Sequence, residues 1–166
     1  MNNSVTIYYL EMRSPDALSA KTDSKGLSIQ ECEIAQFELN RFLYALVGAQ
    51  WEWTDRLAWT AEQWRQYVSQ KSLRTWVAYK GGAIAGYYEL LQAKGSTQIA
   101  YFGLAPQFIG QGMGGYLLSQ AIQSAWNWQG TQRVWVHTCS NDHPSALHNY
   151  QARGFEIYET ETIQSH

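Results

Sequence analysis

Between Val5 and Leu10 every residue is β-branched, aromatic or leucine (VTIYYL), which predicts a strand. The period then changes. Ser28-Ile-Gln-Glu31 has the spacing of a capping box, and apolar residues follow at Ala35, Leu39, Phe42, Leu43 and Leu46. This predicts a helix opening near Ser28 and stopped by Gly48. A second box, Thr60-Ala-Glu-Gln63, predicts a shorter helix carrying Trp64, Tyr67 and Val68. Between the two lies an aromatic loop from Trp51 to Trp59 with one acid–base pair, Asp55 and Arg56. Thr75–Tyr79 and Ile84–Leu91 read as strands joined by a turn at Lys80-Gly81-Gly82, and Gln98–Leu104 as a further strand. Pro106 has no N–H to give and ends the pairing. After a glycine-rich stretch, Met113, Leu117, Leu118, Ala121, Ile122 and Ala125 recur at helical spacing. Arg133–Thr138 and Phe155–Thr162 read as strands. Pro144–Arg153 between them reads as a helix capped by Asp142 or His143 and stopped by Gly154. The order is that of an α/β fold with a mixed, mostly antiparallel central sheet flanked by helices.

Composition narrows the function. The 166 residues have the size of one domain, 1–166, and 45% hydrophobic with 16% charged residues is a globular mixture. A net charge of -2 argues against a general nucleic-acid binder, which needs a basic face. No apolar run approaches the ~20 residues of a membrane span, so no membrane partner is expected. The start Met1-Asn2-Asn3-Ser4 has no basic residue followed by an apolar stretch, which makes a cytoplasmic location the default. Cys32 and Cys139 are far apart and outside any metal-ligand spacing, so free thiols and no metal are expected. Eight tryptophans and eleven tyrosines exceed what a core of this size requires. Surplus aromatic surface lines pockets or interfaces, and a homodimer is one use for it.

The chemistry concentrates in Gly110-Gln111-Gly112-Met113-Gly114-Gly115, between a strand and a helix. Glycines there let the backbone approach a ligand and turn several N–H groups toward one spot, where the helix N-terminus adds free donors and positive potential. That is a phosphate cradle without a lysine. A Walker loop is excluded, since no lysine and hydroxyl follow Gly115. A dinucleotide fingerprint matches Gly110-x-Gly112-x-x-Gly115, yet the next strand ends in His137-Thr138-Cys139 where an acidic residue belongs.

The stretch resembles the acetyl-coenzyme A loop of the Gcn5-related N-acetyltransferase (GNAT) superfamily, Gln/Arg-x-x-Gly-x-Gly/Ala between the fourth strand and the third helix. Gln107-Phe-Ile-Gly110-Gln-Gly112 satisfies it; the more usual register relative to the proline starts at Ile109, with Gly112 and Gly114. Asp142 to Phe155 is similar to that superfamily's fourth helix, with Ala146, Tyr150, Gly154 and Phe155 in register. His143 and Asn149 depart from its usual asparagine and leucine. The likeness covers roughly residues 74–160.

This resemblance implies transfer of acetyl from acetyl-CoA, the cosubstrate, to a primary amine of a small molecule or peptide. It implies that Leu104, Gly110, Gln111, Gly112, Met113, Gly114, Gly115 and Asn141 bind the cosubstrate, with a backbone N–H near Leu104 aimed at the thioester carbonyl. It also implies that Tyr150 is the acid for the departing thiolate. Glu89, in GYYELL, is the first candidate for the base; His137 acting through water and Asp55 are the others, and Gln98 cannot titrate. Trp51, Trp53 and Asp55 are candidate acceptor contacts, with Trp51, Trp53 and Trp59 serving either as an aromatic wall or as packing on the sheet. An Asp55–Arg56 surface pair is the alternative for Asp55. A rival function is the same fold holding acyl-CoA as a sensor without turnover; a dinucleotide-dependent oxidoreductase is another.

Overall fold

The computed structural model describes residues 4–51 and 53–164; Met1–Asn3, on which the reading of the N-terminus rests, and Glu52 of the aromatic loop lie outside them. The elements are β1 (Ser4–Met12), β2 (Ser28–Glu31), α1 (Phe37–Gly48), α2 (Ala61–Ser69), β3 (Leu73–Lys80), β4 (Ala83–Ala93), β5 (Ser96–Leu104), α3 (Gly114–Asn127), β6 (Arg133–Cys139), α4 (Ala146–Arg153) and β7 (Glu156–Gln164). One seven-stranded sheet has the order β2-β3-β4-β5-β6-β1-β7. Every neighbouring pair is antiparallel except β5 and β6. The fold is therefore the mixed, mostly antiparallel α/β sheet that the pattern of elements implies.

Helices cover both faces. On one, Leu117, Leu118, Ala121, Ile122 and Ala125 of α3 are fully buried against Leu10, Leu90, Ile99, Val134 and Val136 of the sheet. Burying each of the larger side chains contributes about 1.5–3 kcal/mol, so this helix anchors the glycine stretch at its N-terminus. On the other face Leu43 and Val47 of α1 pack on Val77 and Tyr87, and Trp64 and Val68 of α2 pack with Tyr44 and Leu73. The Thr60–Gln63 capping box forms as its sequence predicts, with Thr60 Oγ1 accepting from the Gln63 N–H and Gln63 Oε1 from the Thr60 N–H.

Three local expectations are corrected. Ser28–Glu31 is a strand, not the start of a helix: it pairs with β3 from Ser28–Tyr79 to Glu31–Trp76, and the Glu31 carboxylate is forked by Arg74 at 2.8 Å twice. Four residues of Ser-x-x-Glu fit a cap or an edge strand equally, and the partner strand decides. Helix α1 accordingly starts at Phe37, leaving Ala35 outside it. Its buried side is Asn40, Leu43, Tyr44 and Val47, a stripe turned about one residue from the expected one, with Phe42 exposed. Helix α4 begins at Ala146, after Pro144, with Asp142 and His143 engaged before it. The Asp142 carboxylate accepts from Thr138 Oγ1 and the Cys139 N–H, and His143 Nδ1 accepts from the Ser145 N–H at 2.9 Å.

Candidate active site

The site begins where β5 and β6 part. Their parallel pairing covers Ser96–Arg133, Thr97–Val134 and Gln98–Trp135, while β5 continues to Leu104 and β6 to Cys139. Beyond Gln98 the facing edges diverge. The Ala105 N–H bonds to Ala85 O at 2.7 Å, on the β4 side. Successive amides of a strand alternate, so the Leu104 N–H points the other way, into the opening. A cleft of about 1340 Å³ fills this opening and runs from the glycine stretch, past Leu104, Phe102 and Tyr150, to Tyr101, Asp55 and His137.

At one end lie the glycines. Gly110 and Gly112 have left-handed φ of +85° and +83°, and a Cβ at Gly110 would meet no atom within 4 Å. The loop can therefore bring backbone against a ligand, and its glycines are held in a conformation that L side chains rarely adopt. Gly114 and Gly115 begin α3, whose first-turn N–H groups add donors. Gly110, Gly112, Gly114, Gly115, Ile109 and the Met113 backbone region line the cleft, although the Met113 side chain is wholly buried in the core. Gln111 turns its amide back onto Gln107 O at 2.9 Å, and neither glutamine lines the cleft. This favours the register that starts at Ile109. Asn141 also lines the cleft.

Tyr150 reaches the cleft from α4, its ring against Phe102 (6.2 Å) and Phe155 (5.9 Å). Burial pushes its phenol well above the usual range, with Asp142 adding to the effect, so it stays protonated. No hydrogen-bond partner for its hydroxyl is found among the described residues.

A model of the acetyltransferase (GNAT) family matches residues 35–155. The chain belongs to the GNAT family of acetyltransferases. Among solved structures it is similar to a GCN5-related N-acetyltransferase from Kribbella flavida (19% identity, TM-score 0.70), covering 99% of this chain and 58% of that one. It is also similar to an aminoglycoside acetyltransferase from an uncultured soil metagenomic sample, solved with trehalose (19% identity, TM-score 0.64, 77% and 87% covered). A third neighbour is a GNAT family acetyltransferase from Elizabethkingia anophelis with acetyl-CoA bound (24% identity, TM-score 0.61, 81% and 78% covered). The chain thus spans less than two thirds of the Kribbella protein. Among curated proteins none matches it.

In this GNAT chain the glycine loop follows the fifth strand rather than the fourth, because β2 is an additional edge strand. The aromatic loop from Trp51 to Trp59 is tied down more than its sequence implies. Trp53 lies flat on Gly48, where a Cβ would come within 2.5 Å of its ring, and its Nε1 donates to Asp142 Oδ1 at 3.4 Å. Trp51 meets the His143 ring edge-on at 5.0 Å. Trp51 and Trp53 line the cleft while also packing, whereas Trp59 does not line it and lies against Arg56 and Trp64.

Asp55 is exposed and lines the cleft, but its expected partner turns inward. Arg56 sits over Tyr67 (3.9 Å), Tyr101 (4.3 Å) and Trp59 (4.6 Å), and its Nη1 is 3.6 Å from Glu89 Oε1. Glu89 itself is only 1% exposed. Its two oxygens accept from Asn40 Nδ2 at 2.9 Å and Tyr67 O–H at 2.7 Å, and it does not line the cleft. Burial raises its pKa, which Asn40, Arg56 and Tyr67 oppose. A raised pKa fits a base, but this carboxylate is sealed beneath the aromatic loop, so its geometry is that of an anchor for Arg56.

His137 stands on β6 beside the cleft, with Tyr9 at 5.9 Å and Trp135 at 6.1 Å. Partial desolvation lowers its pKa, opposed by Asp142 and Asp55, although the residue is exposed at the cleft. The sequence offers Arg56 only as a surface partner of Asp55, and Arg153 only as the last residue of a helix. For Arg153 a signal existed: it follows Ala146 and Tyr150 at i+7 and i+3 spacing, on the inward face of α4.

Proposed function

We propose that the protein transfers the acetyl group of acetyl-CoA directly to a primary amine of a small molecule or peptide. The observation that carries the reading is the parting of β5 and β6. It leaves the Leu104 N–H open on the same cleft as the left-handed glycines and Tyr150. The fit to acetyl-CoA rests on the left-handed backbone of Gly110 and Gly112 on the cleft, with open space where a Cβ at Gly110 would lie.

Acetyl-CoA supplies an activated acyl thioester. The amides of the glycine loop and of the first turn of α3 are suited to its pyrophosphate, with Asn141 on the same cleft. The Leu104 N–H is a fixed donor for negative charge developing on a carbonyl oxygen, and a preorganised donor of this kind contributes about 3–4 kcal/mol. Tyr150, kept protonated by burial, holds a proton at its phenolic oxygen for a leaving thiolate. His137, on the cleft and with its pKa lowered, is the group available to take the amine's proton, through a water; Asp55 is the second candidate, and Glu89 holds Arg56 in place.

The acceptor end favours a single cationic amine with an apolar body. Trp51, Trp53, Tyr101 and Phe102 supply the walls. Asp142 is already committed to Thr138, Cys139 and Trp53, leaving Asp55 as the free carboxylate on this part of the cleft among the described residues.

The test is thermal unfolding with acetyl-CoA and, as control, NADH. Ligand at ~100 times its dissociation constant adds ~2.7 kcal/mol, or roughly 5–10 °C for a domain of this size. A shift with acetyl-CoA alone supports the reading; no shift overturns it. Thiol release over a panel of primary amines then separates an enzyme from a sensor, and Tyr150→Phe should lower kcat about 10²-fold or more while leaving acetyl-CoA binding unchanged.

A further inference from the structure

The segment between β1 and β2 crosses the cosubstrate end of the cleft. A short turn at Pro15–Ala17 is capped by Ser14, the Ser19 N–H bonds to Arg153 O at 2.8 Å, and the Lys21 N–H bonds to Ser119 Oγ at 2.9 Å. Gly154, at φ +115°, admits this crossing, because a Cβ there would collide with the Ala17 carbonyl. The strap thus lies over the junction of α3 and α4, and it is outside the residues 35–155 that the family model matches.

Beneath it is an unusual charge. Arg153 is 7% exposed, and its Nε and Nη1 are buried without a hydrogen-bond partner. A Cβ at Gly115 would lie 2.8 Å from Arg153 Nη1 and 2.9 Å from Lys21 Cγ, so both side chains converge on the first turn of α3. All three residues line the cleft. Neither cation has an ion-pair partner among the described residues; the neighbouring Lys25 is held by Asp23 at 3.4 Å. A guanidinium stripped of water and left unpaired is costly, and beside a helix N-terminus it meets positive potential as well. Two unpaired cations and a set of free helix amides at one point are electrostatically incomplete without an anion, and a guanidinium fork matches phosphate oxygens.

We propose that Arg153 and Lys21 form a cationic clamp for a phosphoryl group of the coenzyme, opposite the glycine-loop amides, with the β1–β2 strap as its outer jaw. The inference rests on the acetyl-CoA reading above. The phosphoryl oxygens belong either to the pyrophosphate or to the ribose 3′-phosphate, which the test separates.

Binding is measured by calorimetry for the unaltered protein, Arg153→Met and Lys21→Met, each with CoA and with 3′-dephospho-CoA. Methionine keeps much of the volume of Arg153 without its charge. Each substitution should weaken CoA binding roughly tenfold or more, as loss of a charge-assisted contact does. Arg153→Met should also raise the melting temperature of the ligand-free protein, because an unpaired buried charge is gone; a merely structural arginine would lower it. Lys21 has its side chain at the surface of the strap, so its variant folds whatever happens at Arg153. A loss that persists with 3′-dephospho-CoA assigns the clamp to the pyrophosphate, and a loss that vanishes assigns it to the 3′-phosphate. CoA binding by the unaltered protein with both variants within threefold of it overturns the clamp alone. Absence of CoA binding by the unaltered protein overturns the clamp and the acetyl-CoA reading together.

Discussion

Replacing Arg56 by methionine tests how the aromatic loop is held. Its guanidinium lies 3.6 Å from the Glu89 carboxylate, and Coulomb's law at an effective dielectric of 20 gives that pair about 5 kcal/mol. Part of this is offset, since the substitution also relieves the desolvation of Arg56, and the Asn40 and Tyr67 hydrogen bonds to Glu89 persist. Removing one partner of a buried pair costs typically 3–5 kcal/mol, and about 3 is expected here at neutral pH. For a chain of this length that lowers the melting temperature by roughly 6–12 °C. The cost must depend on pH. Burial raises the Glu89 pKa in the folded state, and losing Arg56 raises it further. A carboxyl whose folded pKa lies above its unfolded one favours the fold below the unfolded value, and that advantage is lost as pH rises through the folded value. The deficit of Arg56→Met should therefore be largest near pH 8 and shrink toward pH 5, where Glu89 takes up a proton. Glu89→Gln, neutral at every pH, should restore most of the stability when combined with Arg56→Met. Urea unfolding of the unaltered protein, both single variants and the double variant at pH 5 and pH 8 reads all of this. A deficit under 1 kcal/mol at pH 8, or one that does not change with pH, refutes the reasoning.

Gly48→Ala should destabilise by about 1–3 kcal/mol, despite alanine's better helix propensity, because its Cβ would sit 2.5 Å from the Trp53 ring; a higher melting temperature would show that Trp53 does not need that floor. Thr60→Ala removes the reciprocal cap on α2 and should cost about 1 kcal/mol, seen as a drop of roughly 2–4 °C. If His137 is the base, kcat/KM should fall on the acid side with an apparent pKa below the ordinary histidine value of about 6.5, because desolvation disfavours its imidazolium. His137→Gln should lower the rate and remove that limb; a limb that survives the substitution assigns the proton to another group, Asp55 first.

Local rules were enough wherever one element carries its own signal. The six apolar positions of α3 are all buried, the second capping box closes as written, and Gly154 stops α4 in the left-handed conformation. The glycine stretch, its place between strand and helix, and the family of the chain were equally legible, because backbone donors at a helix start need only glycines and a following amphipathic run. What pairing decides was not legible. Ser28–Glu31 carries the letters of a cap and becomes a strand because β3 offers it an edge and Arg74 takes its glutamate. The stripe of α1 turns by one residue because Asn40 must reach Thr75 and Glu89, a partnership between residues 35 and 49 positions apart. The same holds for charge. Nothing near Glu89 in sequence indicates that Arg56 will neutralise it, and nothing near Arg153 indicates that residues 17–21 will roof it. Burial and counter-charge are properties of the packed sheet and its two helical layers. The sequence by itself thus determined most of the elements, the place of the glycine loop and the family, while only the tertiary structure decided which titratable groups face the cleft and which are sealed beneath it.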